Sequence, residues 1–103
     1  MSERIKRTFE KKEKKLVTFT TGGDPDLDTS FEILKTIISN KIDIVEIGMP
    51  FSDPMADGPT IQESSTRSIE NGTIINDIFE LVKKIRSLNN EIPVILMGYY
   101  NSI

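Results

Sequence analysis

The sequence predicts an α/β fold built from βαβ units, with about three parallel strands flanked by helices. Three observations carry this prediction. Short β-branched or apolar runs alternate with amphipathic stretches of 10 to 15 residues. Gly, Pro and Asn clusters punctuate the junctions. The last run, Val94 to Tyr99, is apolar almost throughout, as suits a strand covered on both faces of a parallel sheet.

The first element is a helix. Residues 2–14 place Ile5 and Phe9 four apart among Lys, Arg and Glu, which predicts a short amphipathic helix. Its Lys and Arg are interspersed with Glu3, Glu10 and Glu13, so the charges read as a solvated face. Residues 16–21 (LVTFTT) suit a strand, stopped by Gly22-Gly23-Asp24-Pro25. Thr29 with Glu32 three residues on has the form of a capping box. Phe31, Leu34, Ile37 and Ile38 then share a helical face, and Asn40 is expected as a left-handed closing residue. Residues 42–48 (IDIVEIG) predict the second strand, with Ile42, Ile44 and Glu46 on one side and Asp43, Val45 and Ile47 on the other. Pro50, Pro54 and Pro59 make a stiff loop of the stretch after this strand. Residues 60–70 read as a short helix with Ile61, Ser65 and Ile69 spaced by four. After Asn71-Gly72, Asn76 is the expected N-cap of a helix striped by Ile78, Leu81, Val82, Ile85 and Leu88. Pro93 opens the third strand. The start, a Met and a helix, reads as natural. No helix remains to cover the third strand, so the chain is expected to be cut after Ile103.

Composition bounds the chemistry. The chain has 103 residues, enough for one small domain at most. A net charge of −3 argues against a nucleic-acid partner. There is no Cys and no His, which removes disulfides, Cys-His pairs, Ser-His-Asp triads and the common zinc sites. Acid–base work falls to Asp, Glu, Lys or Tyr. Residues 2–15 hold no apolar segment of signal-peptide type, and no run approaches a membrane span, so the expected compartment is the cytoplasm.

Glu46 is the first candidate for chemistry. It sits mid-strand in phase with two isoleucines, where an unpaired carboxylate is costly. It is either paired with a Lys or Arg from elsewhere, or a general acid/base whose pKa burial raises. Its place near the C-terminal end of the strand favours function, because that end hosts the site in β/α folds. Asp57, in Ala-Asp-Gly-Pro, reads on its own as a turn-capping residue, as does Asp53 before Pro54. Thr20-Thr21-Gly22-Gly23-Asp24 lacks the spacing of a phosphate-binding loop and reads as a tight turn. Phe19, Tyr99 and Tyr100 lie at strand ends, where an aromatic packs or lines a pocket.

Three blocks together resemble one family. They are Phe19 to Pro25 (FTTGGDP), Glu46 to Gln62 (EIGMPFSDPMADGPTIQ) and Met97 to Asn101 (MGYYN). Their content and spacing are similar to the successive signatures of the tryptophan synthase α subunit. The middle block is highly specific, and the resemblance covers essentially the whole chain. It implies the N-terminal part of a (β/α)8 TIM barrel. It also implies a lyase that cleaves indole-3-glycerol phosphate to indole and glyceraldehyde 3-phosphate, without cofactor or metal. By this resemblance Glu46 is the acid/base and Asp57 accepts the indole N–H. Phe19, Met97 and Tyr99 line the indole pocket. The loop of Pro50, Asp53 and Pro54 faces a partner β subunit, in an α2β2 complex. Phosphate in such barrels is held after strands seven and eight, which have no counterpart here. The piece is therefore expected to be inactive alone. The alternative is a non-catalytic module that only docks on the β subunit.

Overall fold

The computed structural model describes residues 2–51 and 57–98. Helix α1 spans Glu3–Glu10, strand β1 Val17–Thr21, helix α2 Leu27–Ile38 and strand β2 Ile44–Gly48. Helices α3 (Pro59–Glu70) and α4 (Ile75–Leu88) precede strand β3 (Val94–Met97). The strands form one parallel sheet in the order β1-β2-β3. None of the described helices is long and apolar enough to cross a membrane.

The core lies between one face of the sheet and helices α2 and α4. Leu34, Val45, Ile47, Ile78 and Ile85 are fully buried there, joined by Met49, Leu81 and Ile92. Each helix contributes the expected stripe, except that Leu88 stands 53% exposed at the end of α4. The register pairs Phe19 with Glu46 and Glu46 with Ile95. Phe19, Thr21, Glu46, Gly48, Ile95 and Met97 therefore share the opposite face of the sheet. That face is thinly covered among the described residues. On it Val17 and Met97 are each more than 40% exposed and Ile95 is half-buried; Val94 and Leu96, on the core face, are also only half-buried, short of the cover expected for β3 on both sides. β3 is an edge strand here, with a neighbour on one side only.

Several boundaries differ from expectation. Helix α1 stops at Glu10, with Lys11 already extended. Its Arg4 guanidinium donates to the Asn90 carbonyl and side-chain oxygens at 2.7 and 3.0 Å, so α1 sits beneath the N-terminal ends of the strands. Helix α2 starts before Thr29. Its cap is Asp26, whose Oδ1 accepts the Thr29 N–H at 2.8 Å, and this holds the Asp26 carboxyl below its ordinary pKa of 3.8. A carboxylate at the positive end of a helix outcompetes a hydroxyl three residues on. The left-handed residue after α2 is Lys41 (φ 57°), while the Asn40 amide turns back to donate to the Thr36 carbonyl. Asn76 lies inside the first turn of α4. There Asp77 accepts the Ile74 N–H at 2.9 Å and sets the cap at Ile74, two residues earlier.

Candidate active site

The C-terminal ends of all three strands meet in an apolar cleft of about 200 Å³. β1 supplies Phe19 and Thr21, and β2 and its exit supply Gly48 and Met49. β3 and its exit supply Met97 and Gly98. The fourth wall is Asp57 with Ile61 and Ser65, one turn apart on α3. The volume is below the roughly 300–1,000 Å³ common for ligand sites. Its shape depends on Gly48. A Cβ there would lie 2.5 Å from Phe19 Cζ, so the absence of a side chain lets the tip of the ring approach β2.

Glu46 lies two residues before Gly48 on the same face, between Phe19 and Ile95 in register. It is half-buried, and it is not itself part of the cleft wall. Among the described residues its carboxylate joins no ion pair. The reading of a sheet Glu neutralised by a Lys or Arg finds no such partner in this part of the chain. Asp57 stands at the mouth of the cleft, half-buried, just before α3. Its carbonyl accepts from Gln62 Nε2 at 2.7 Å. Thus Phe19, Met97 and Asp57 come together, with Glu46 beside them. Pro50 is half-buried at the exit of β2. Asp53, Pro54 and Tyr99 lie outside the described residues.

The cleft is also walled by Thr21, Gly48, Met49, Ile61, Ser65 and Gly98, none of them singled out from the sequence. Ile61 and Ser65 carried a signal, since their spacing of four sets them on one helix face directly after Asp57. Thr21 reads as turn chemistry, but its hydroxyl points inward and shares a 2.6 Å hydrogen bond with Ser64 on α3. Farther along α3, Asp24 and Arg67 form a two-point ion pair, with Nε–Oδ1 2.8 Å and Nη2–Oδ2 3.1 Å. This bonding raises the Arg67 pKa above its usual value. Among the described residues no group of three or more Asp or Glu side chains is placed to hold a metal ion.

Parallel β/α units with an apolar, carboxylate-bearing cleft at the carboxyl ends of the strands define the chain as part of a β/α barrel. Residues 5–103 match the family model of the tryptophan synthase alpha chain, and the chain belongs to that family. It is 51% identical over 104 residues to the tryptophan synthase alpha chain of Geotalea uraniireducens and 48% identical over 103 residues to that of a Geobacter species. These alignments cover 97% and 100% of this chain but 39% and 38% of the relatives. The chain therefore spans about two fifths of their length. A crystal structure of tryptophan synthase subunit alpha from Legionella pneumophila superposes with a TM-score of 0.94 at 36% identity, over all of this chain and 41% of that one. The tryptophan synthase complex of Pyrococcus furiosus contains a chain matching at TM-score 0.79 and 40% identity, over 84% of this chain and 35% of that one.

Proposed function

We propose that residues 1–103 form the N-terminal helix and first three strands, with their connecting helices, of an eightfold barrel and carry the acid–base half of a lyase site. The lyase cleaves indole-3-glycerol phosphate to indole and glyceraldehyde 3-phosphate. The observation that carries this reading is the cleft itself. Phe19 and Met97 offer apolar walls for a flat indole, Asp57 stands at the mouth, and Glu46 lies on the same face of β2. Family membership supports the choice of substrate.

The chemistry is a retro-aldol cleavage. Asp57 accepts the indole N–H and stabilises the positive charge that develops as the ring carbon is protonated. Glu46 delivers that proton to the ring carbon and takes one from the glycerol hydroxyl beside the breaking bond. The bond's electron pair returns to the ring, and the hydroxyl carbon becomes the aldehyde. A carboxylate aimed at a developing cation is most effective where water is excluded, as an apolar cleft provides. The 103 residues contain no counterpart of the loops after strands seven and eight that hold phosphate in such barrels. Taken alone they are expected not to turn over.

The protein acts in the cytoplasm. Its partner is a β subunit that meets the loop of Pro50, Asp53 and Pro54. The Pyrococcus furiosus relative, described as part of an α2β2 complex, supports such a partner. The deciding experiment is steady-state kinetics of the whole protein that carries this chain. Glu46→Gln keeps the shape and removes the titrating proton. It is expected to lower kcat by about 10²–10⁴-fold, the usual worth of a positioned acid/base. Asp57→Asn is expected to cost less. Near-normal turnover by Glu46→Gln would sink the assignment.

A further inference from the structure

Helix α3 is held by an unusual grip. None of its side chains belongs to the core cluster or packs against it as a partly buried apolar residue. Its buried residues are Ser64, Ser65 and Ser68. What fixes it is a row of polar contacts to the β1–α2 turn. Ser64 meets the Thr21 hydroxyl, and Ser68 donates to the Gly22 carbonyl at 2.7 Å. Arg67 grips Asp24 through two parallel bonds, and the Asn71 amide donates to the Pro25 carbonyl. Positions 64, 67, 68 and 71 lie on one helical face, so the whole row bears on one turn. That turn is itself anchored, because the Gly23 N–H donates to the buried Ser30 hydroxyl at 3.0 Å.

The N-terminal end of α3 carries Asp57. Gly58 caps the helix without a side-chain bond, and Gln62 ties the first turn back to the Asp57 carbonyl. From Arg67 to Pro59 the helix rises about 12 Å at 1.5 Å per residue. A tilt of about 5° at the clamp therefore displaces the Asp57 end by about 1 Å. A displacement of that size is enough to cost on the order of a hundredfold in rate.

We propose that Arg67 is a positioning residue, whose two-point grip on Asp24 sets the tilt of α3 and so holds Asp57 at the mouth of the cleft. This rests on the lyase reading for the role of Asp57. The pair is half-exposed at Arg67, and such pairs add little to global stability. Its effect falls on orientation.

The test is a double-mutant cycle in the whole protein that carries this chain. Arg67→Met keeps the stem and removes the fork. It is expected to lower kcat for indole-3-glycerol phosphate about tenfold, with KM within about twofold, a partial form of the hundredfold penalty for full misplacement. In an Asp57→Asn background the same change is expected to lower kcat by less than about twofold, since no carboxylate remains to be misplaced. Equal losses in both backgrounds, or no loss in either, overturn the proposal. Amide hydrogen exchange separates this outcome from failure of the lyase reading. In Arg67→Met the Gln62 N–H, bonded to the Gly58 carbonyl, is expected to exchange at least about fivefold faster while the Ile85 N–H is unchanged, as for local opening at one end of α3. If the unmodified protein shows no lyase activity, that reading falls, and an unchanged Gln62 amide would still refute the clamp.

Discussion

Gly23 is the position where a single methyl group is expected to do the most damage. Its φ is +78°, and a Cβ built there would lie 2.5 Å from Thr73 Oγ1, 2.7 Å from Ser68 Oγ and 2.8 Å from Thr73 Cγ2. Neither neighbour yields easily. Both are buried, both have short side chains, and Ser68 is already committed to the Gly22 carbonyl. Two costs therefore combine in Gly23→Ala. The left-handed backbone costs an L-residue about 1–2 kcal/mol. Overpacking a filled site costs about 1–3 kcal/mol. The expected loss is about 2–5 kcal/mol.

Gly72 provides the control. It is also left-handed (φ +84°), but a Cβ there meets nothing within 4 Å. Gly72→Ala is expected to lose only the backbone strain of about 1–2 kcal/mol. The assay is urea unfolding followed by far-ultraviolet circular dichroism, with midpoints converted through a shared m-value of about 1–3 kcal/mol/M. If the two variants lose the same stability to within about 0.5 kcal/mol, the error of a good comparison, the packing argument at Gly23 is wrong. If Gly72→Ala loses nothing, the strain argument is wrong.

The other expectations use the same kind of contrast. Ile85→Ala, at a fully buried position, is expected to cost about 2–5 kcal/mol. Leu88→Ala, three residues on but half-exposed, is expected to stay within about 1 kcal/mol by the same urea measurement. Gly48→Ala pushes the Phe19 ring toward the cleft. Calorimetry is expected to show indole binding at least about tenfold weaker, while stability falls by only about 1 kcal/mol because a ring tip can swing aside. Asp26 has a folded pKa held below 3.8 by the Thr29 N–H. Its contribution is present above its unfolded pKa and is lost as pH falls through the folded value. Thermal melts of the unmodified protein and Asp26→Asn are therefore expected to diverge above about pH 4 and converge below it. A constant gap across that window would refute the capping role.

Strand and helix identities were readable in the sequence because they rest on local periodicity. The β-branched run of β1 and the Ile78-Leu81-Ile85 stripe leave few alternatives. Helix ends were less readable. Asp26, Asp28, Thr29 and Ser30 all suit a cap, and the choice depends on which N–H the folded turn leaves unpaired. Asn40 is the better left-handed residue in isolation. The chain instead reverses at Lys41, one step later, after the Asn40 amide has closed onto Thr36.

For the site, residue order alone carried the family signatures, the exclusion of His and Cys chemistry, and Glu46 near a strand end. Periodicity also set Phe19 in phase with Thr21, and Glu46 with Gly48, within each strand. That these two faces are the same face came from the folded sheet, because register is a property of paired strands. The packing of α3 likewise brought Asp57 to close the cleft beside Phe19 and Met97. The serines of α3 show the difference most sharply. In sequence Ser64 and Ser68 look like part of a solvated helix face, while Ser65 falls in line with Ile61 and Ile69. In the fold all three are buried: Ser64 bonds the nearby Ile61 carbonyl and also meets the Thr21 hydroxyl at the end of β1, and Ser68 donates to the Gly22 carbonyl just after it, both of these partners lying more than forty residues away. Local sequence fixes what a side chain can bond, and packing decides whether a partner is there to meet it.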